Sequence, residues 1–296
     1  MKQWFIEYQA SRLVFFALTF MALAWWETRA AWRPWLTYRL LRWRRHFGLA
    51  VISQLCVRIV FPMLAVGAAI TVKQNNIGIF NQYHVPYIIA FIVGMIALDF
   101  VIYLQHRLLH RYGFLWRLHR VHHMDKQVDV STGLRFHPIE ALFTTGAKIV
   151  GVGFFGVPPL AVFVYELLLN FATLFTHVNI VLPKRWEQRL RKVIVTPGMH
   201  RIHHSDFSYN TNSNYGFCLS IWDKFFSTYV PYPYTGERRM LFGLSEYRDP
   251  KFQTLENMLL VPFNVKHLKV WPRRPLRTKL KDTDNLPIQK IEAKSE

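Results

Sequence analysis

Ten of the thirteen histidines in this chain fall between His106 and His204, and eight of those ten stand in three tight clusters. The clusters read His106-Arg-Leu-Leu-His110, His119-Arg-Val-His122-His123 and His200-Arg-Ile-His203-His204. Residues at i, i+3 and i+4 share one face of a helix, so each cluster should direct two or three imidazoles to one point. Adjacent imidazoles are awkward to desolvate without a cation, and the neutral ring is a good ligand for iron, zinc or copper. Eight clustered rings exceed the four ligands of a single zinc, which points to a dinuclear centre.

Two polar stripes run through otherwise apolar stretches. Asp99, Tyr103, His106 and His110 are spaced 4, 3, 4 along one helical face, and Glu166, Asn170, Thr173 and His177 repeat that spacing. Ionisable groups inside membrane segments are costly and normally face a functional interior, so both stripes should point at the site. That adds His177 as a ligand. It makes Asp99 and Glu166 candidates to orient ligating imidazoles, or to ligate themselves, against the alternative of buried neutral acids. His137, in a non-helical position ahead of Pro138, is expected to be a further ligand or a cap supporting the site. The isolated His46, His84 and His267 are expected to be ordinary surface or interface residues.

The elements that must position these groups are apolar helices. Residues 4–26, 47–72, 85–104, 141–157 and 160–182 approach membrane-spanning length, although Arg58 and Lys148 interrupt two of them. Pro158 and Pro159 separate the last two and should make a tight helical hairpin. The first stretch reads as a retained anchor, because Trp25, Trp26 and Glu27 stand where a signal peptide would have small residues. Thr196 and Pro197 suit an N-cap and first helical position just before the third cluster. The expected fold is an all-α integral membrane bundle of four to five embedded helices with a histidine-rich cap. Its divisions would be residues 1–84 as anchor helices and basic linker, 85–230 as the catalytic domain, and 231–296 as a basic tail, loose after about residue 271.

With 51% hydrophobic residues and a formal charge of +19, the chain lies between a soluble domain and a multi-span transporter. The basic residues are broken up by segments too apolar for a soluble nucleic-acid binder, so a bilayer surface is the better partner. The linker 29–45 holds six Arg or Lys, whereas the linker 73–84 holds one. By the positive-inside rule the first is cytoplasmic, and threading the chain from there puts 105–138 and everything after Pro183 on that side. Cys56 and Cys218 are too far apart in sequence for a cysteine-based metal motif.

The order HxxxH, HxxHH, a lone histidine in a membrane helix and a second HxxHH resembles the fatty acid hydroxylase and sterol desaturase superfamily over roughly residues 99–229. Asp99-Phe-Val-Ile-Tyr103, Trp116-Arg-Leu-His119, Thr132-Gly-Leu-Arg-Phe-His-Pro-Ile-Glu140, Thr196-Pro-Gly-Met-His200, Asn214-Tyr-Gly216 and Trp222-Asp-Lys-Phe-Phe-Ser-Thr-Tyr229 look like that family too. The resemblance implies two irons that activate O2 and attack an unactivated C–H bond of a lipid, leaving a hydroxyl group or a double bond. It carries ligand roles to His106, His110, His119, His122, His123, His177, His200, His203 and His204. Fatty acid 2-hydroxylases have a further histidine where Thr173 stands, so this chain looks closer to the sterol desaturase or alkylglycerol monooxygenase branch. Acyl-CoA desaturases leave a longer interval than the eight residues between His110 and His119.

Two other classes fit less well. A zinc hydrolase would need HExxH with glutamate as base, and here Arg107, Arg120 and Arg201 follow the leading histidines. A metal carrier would spread its ligands over several spans. No haem, flavin or nicotinamide motif accompanies the clusters, so electrons are expected from a separate donor.

Overall fold

The computed structural model describes residues 2–264 apart from Thr37, Thr235 and Arg238, and the side chains from Tyr8 onward. His267 and the loose tail expected after residue 271 lie outside the described residues. The architecture is all-α, and the only β pairing among the described residues is three isolated bridges. In chain order the helices that matter are α1 (Lys2–Arg29), α2 (Arg39–Val60), α3 (Leu64–Gln74), α4 (Ile79–Gln82), α5 (Tyr87–Arg111), α6 (Gly113–His123), α7 (Pro138–Phe155), α8 (Pro159–His177), α9 (Lys184–Leu190) and α10 (Pro197–His203).

Five helical stretches are long and apolar enough to cross a membrane. The second breaks at Pro62, which has no N–H to give, so α2 stops at Val60 and the chain restarts as α3 through Leu64 in a left-handed conformation. α7 and α8 both pack against α5 and α3, with α2 on α7 and α1 on α8. The bundle keeps apolar side chains outside as well as inside. Leu13, Leu18 and Met21 on α1, Ile88, Ile92 and Ile96 on α5, and Val150 and Phe154 on α7 are all exposed, as a lipid-facing surface requires.

The turn after α3 and the α7–α8 turn meet at one end. Gly78 (φ +89) lies so close to Gly156 (φ +73) that a Cβ at 78 would come within 2.3 Å of the Gly156 nitrogen. Both conformations and the contact itself demand glycine. The 30–38 linker sits at the opposite end, where Trp32 donates to the Asn179 carbonyl and Leu36 to Gln127 Oε1. The basic linker, the histidine region and the segment after residue 183 therefore share one end of the bundle.

That end is tied together by a buried polar network. Arg42 of α2 pairs with Asp125 at 2.7 Å and with Asp129, while His46 Nδ1 lies 2.8 Å from Ser131 Oγ. Arg135 donates from Nε to the Val121 carbonyl at 2.7 Å. Burial alone would raise the Asp125 carboxyl, but Arg42, His46 and Arg135 hold it well below the usual range. Removing Arg42 would leave the buried Asp129 carboxylate without a cation and Asp125 with only the more distant Arg135, a loss of about 3–5 kcal/mol. His46 is thus a core residue, 1% exposed and inside a polar network, where its isolation in sequence suggests an ordinary surface or interface residue; His84 is exposed.

Candidate metal centre

Four elements bring nine histidines together. α5 supplies His106 and His110, α6 supplies His119, His122 and His123, α8 ends on His177, and α10 carries His200 and His203 with His204 as its C-cap. α10 starts as its sequence suggests, with Thr196 Oγ1 accepting from the Met199 N–H and Pro197 in the first turn. All nine are buried, at most 7% exposed.

They form two groups, one of His106, His110, His119, His123 and His203, the other of His122, His177, His200 and His204. Each HxxHH box is therefore divided, rather than aimed at one point. In α6 the i, i+4 pair 119 and 123 joins the first group while 122 crosses to the second. In α10 the i, i+4 pair 200 and 204 joins the second group while 203 crosses to the first. At about 100° per residue, i and i+4 lie 40° apart, and i+3 lies 60° to the other side of i, so one turn of helix serves two centres.

Hydrogen bonding at the far nitrogen fixes the tautomers of four of the rings. The Nδ1 of His106 lies 2.7 Å from the Tyr215 carbonyl, that of His119 2.6 Å from Glu140 Oε1, that of His177 2.6 Å from the Thr173 carbonyl and that of His203 2.7 Å from the Ser213 carbonyl. With Nδ1–H donated outward, Nε2 carries a lone pair. The Nε2 atoms of His106 and His119 then face each other at 3.0 Å, and His177 Nε2 faces those of His122, His204 and His200 at 3.0–3.1 Å. The facing lone pairs of His106 and His119 repel unless a cation lies between them. Edges of this length put a common centre about 2.1 Å from each nitrogen when the ligands subtend right angles, the range of a metal–imidazole bond. The donor set fits two metal ions.

Burial drives the histidines of α6 and of the third box towards neutrality. It pulls His119 down to about 3, and it takes His122, His123, His200, His203 and His204 well below their ordinary value, with neighbouring imidazoles adding to the effect. Neutral imidazole is the ligating form. Phe136 stacks on His122 at 4.5 Å, Trp116 packs on His110 and His123, and Phe217 lies 5.0 Å from His106, which keeps the site dry.

Residues 91–228 match the family described as fatty acid hydroxylase. This stretch is a fatty acid hydroxylase domain. It carries all nine histidines, and with the five apolar helices it makes the chain an integral membrane protein. The chain is 32% identical over 173 residues to an ornithine lipid hydroxylase of Rhizobium tropici, a match covering 57% of this chain and 50% of that one. It is 30% identical over 155 residues to the alkylglycerol monooxygenase of Homo sapiens, covering 51% and 32%, and 29% identical over 148 residues to a sphinganine C4-monooxygenase of Arabidopsis thaliana, covering 48% and 54%. The match spans about half the length of these relatives, or less. No solved structure matches the chain.

Three candidates fall outside the two histidine groups of the hydroxylase domain. His137 is the N-cap of α7: its Nδ1 accepts from the Ile139 N–H at 3.2 Å and its Nε2 meets the Leu259 carbonyl, so both nitrogens are spent on backbone. Asp99 does not reach His106. It accepts from the Trp222 indole at 2.9 Å and the Leu219 N–H at 3.1 Å, and so pins the 215–222 loop to α5. Glu166 bonds Tyr8 at 2.6 Å, Lys148 at 2.9 Å and Arg12 at 3.0 Å, an ion network joining α8 to α7 and α1 and remote from the histidines. The stripes lead into the two groups at their histidine ends and away from them at their acidic ends, because a buried carboxylate takes whatever donors its own turn of helix meets, neutral N–H groups for Asp99 and a hydroxyl and two cations for Glu166.

Glu140 is the carboxylate the sequence did not single out. It stands in the first turn of α7, and the signal was its place in Phe136-His-Pro-Ile-Glu140, where the turn after Pro138 faces α6. Asp223 is the other: its carboxylate accepts from the Tyr215 and Gly216 N–H groups at 2.8 Å each, which shapes the loop whose carbonyls hold His106 and His203.

Proposed function

We propose that the chain is an O2-dependent di-iron oxidoreductase that hydroxylates or desaturates a C–H bond of a lipid. His106, His110, His119, His123 and His203 would hold one iron, and His122, His177, His200 and His204 the other. The observation that carries this reading is the pair of opposed Nε2 lone pairs on His106 and His119, 3.0 Å apart in a buried site. Two irons in such a site would supply, with O2 and two electrons, an oxidant able to break an unactivated C–H bond.

The protein's part is positional. A cavity of about 200 Å3 lies in the bundle directly beneath the histidines, with Phe136 and Phe217 at its histidine end and Leu134, Leu169 and Leu174 along its sides. It suits an alkyl chain. Gln105, Thr144, Asn170 and Thr173 add polar points on its wall that can hold an oxygen of the lipid. Glu140, Tyr215, Thr173 and Ser213 orient the rings, and the aromatic residues around them exclude water. The relatives are named for ornithine lipid, alkylglycerol and sphinganine, which supports a lipid substrate, and they are called hydroxylase or monooxygenase, which favours hydroxylation. Residues 85–230 would form the catalytic unit, with the histidines and the C-terminal segment facing the cytoplasm and a separate protein delivering electrons.

Cells producing the chain under 18O2 test the reading. A lipid that gains one 18O, or one that loses two hydrogens, is expected with the wild type and not with His122→Ala. Lipid profiles identical in the two would overturn it.

A further inference from the structure

At the histidine end of the bundle, a second cavity of about 1100 Å3 opens between the linker, the start of α2, the 125–127 loop and residues 241–253. Seven of its lining residues are Arg or Lys and one, Asp125, is acidic. Carboxylates pair with several of these cations, Glu27 with Arg39, Asp125 and Asp129 with Arg42, and Asp206 with Arg248. Arg45 has no ion pair among the described residues, so the wall stays net positive.

The same wall holds four buried donors without a hydrogen-bond partner among the described residues: Trp35 Nε1, Arg39 Nε, Gln127 Nε2 and Arg135 Nη2. Gln127 and Arg135 are 7% and 1% exposed, so these nitrogens sit within the wall. Among the described residues, no buried side-chain acceptor on this wall is left over in the same way. These four nitrogens are closed off behind the cavity surface; what faces the cavity is the net positive wall of guanidinium and ammonium groups, which favours an anion with several oxygens.

The mouth says what carries that anion. Leu36, Tyr38 and Leu41 line it and remain exposed, Leu40 beside them is exposed too, and Arg39 begins the second membrane-length helix. Apolar and aromatic side chains at the end of a spanning helix belong at the bilayer interface. The cavity also lies alongside the one beneath the histidines, with neighbouring residues of the same elements lining each. Arg42 and His46 of α2 line the first, and Ala50 and Ser53, two turns on, line the second; Arg135 faces the first, and its neighbours Leu134 and Phe136 the second.

We propose that this cavity binds the anionic headgroup, a phosphate or carboxylate, of the membrane lipid whose chain enters the smaller cavity. The substrate part of this statement rests on the proposed oxidation; the binding part does not. The oxidised lipid would then be anionic, and recognition would lie in residues 33–45, 125–135 and 241–253, partly outside the hydroxylase domain.

The test uses the full-length, iron-loaded protein in neutral detergent, with binding of dihexanoyl phosphatidate, dihexanoylglycerol and inorganic phosphate read by calorimetry. Arg45→Glu is the site variant, and Arg44→Glu, exposed on the next position and off the cavity wall, is the charge control. Phosphatidate should bind the wild type and Arg44→Glu alike and Arg45→Glu about tenfold more weakly, with Arg45→Gln between them. Dihexanoylglycerol and inorganic phosphate should each bind the wild type more weakly than phosphatidate does. Equal binding by Arg45→Glu, or by the uncharged lipid, would overturn the site. Equal affinity for inorganic phosphate would make it a site for a soluble anion instead. Unchanged lipid binding with a raised KM for an acidic reduced donor protein would make the wall a docking surface and overturn the headgroup assignment. Product formation is followed on the same samples. Phosphatidate binding without any lipid oxidation sinks the substrate assignment and the oxidation but leaves the anion site, while oxidation without phosphatidate binding sinks only the headgroup site.

Discussion

His119 Nδ1 and Glu140 Oε1 lie 2.6 Å apart with both side chains buried, and this one contact ties the middle histidine box to the first turn of α7. The carboxylate fixes the imidazole tautomer, and so aims the His119 lone pair at the shared centre, while adding electron density to the ring.

Glu140→Gln keeps the shape but weakens the acceptor, so iron affinity or turnover should fall about 10- to 100-fold without loss of the fold. Asp99→Asn acts one step further out, through the loop that carries the Tyr215 carbonyl, and should fall less. Metal content and product rate of the two purified variants check the order. An inert Glu140→Gln beside a crippled Asp99→Asn would reverse the assignment made from geometry.

The nine histidines, the helical membrane body and the shared location of basic and histidine-rich segments were legible because they follow from local spacing, length and composition. The cap at Thr196–Pro197 was legible for the same reason. What pairs with a buried acid was not. Asp99 and Glu166 sit in stripes with His106 and His177, yet Trp222, 123 residues away, claims the first, and Tyr8, 158 residues away, the second. His46 looked isolated because its partners, Ser131 and Asp125, are on another element. Periodicity gives a face; only the fold gives the neighbour.

Acid sensitivity of the metal-free protein follows from the buried imidazoles. Burial holds His119 near 3, whereas in the unfolded chain it returns to its ordinary value of 6.5, and five other boxed histidines shift the same way. A group whose folded pKa is depressed keeps its stability above the unfolded value and loses it as pH falls towards the folded one. Each such histidine removes up to about 1.4 kcal/mol per pH unit within that window. Asp125 contributes only below its ordinary value of 3.8 and cannot produce a loss that begins near neutrality. Thermal melts of chelator-treated protein should be flat from pH 8 to 7 and fall steeply below 6.5. A midpoint unchanged down to pH 5 would contradict the buried neutral site.

Orientation rests on the six basic residues of linker 29–45 against one in linker 73–84. Reporter fusions at the C-terminus and in the 73–84 turn should report opposite sides, the C-terminal one cytoplasmic. Both reporters on one side would refute the threading, and an inverted pair the sidedness.

The division of each HxxHH box makes the sharpest prediction. His122 and His123 are adjacent in sequence, yet the first shares a group with His204 and the second with His203. Loss of His122 or His204 should therefore perturb the same iron although they belong to different boxes, and loss of His123 or His203 should perturb the other. Product formation should vanish in all four alanine variants, since the proposed oxidation needs both metals, so activity alone cannot sort them. Mössbauer spectra of 57Fe-loaded protein can, because two unlike sites give two quadrupole doublets. The expected result is that His122→Ala and His204→Ala alter one doublet, and His123→Ala and His203→Ala the other. The first group has five imidazoles and the second four, so the second pair should also retain iron better. If the variants sorted by box instead, with 122 resembling 123 and 203 resembling 204, each box would serve a single metal and the crossed arrangement of α6 and α10 would be wrong.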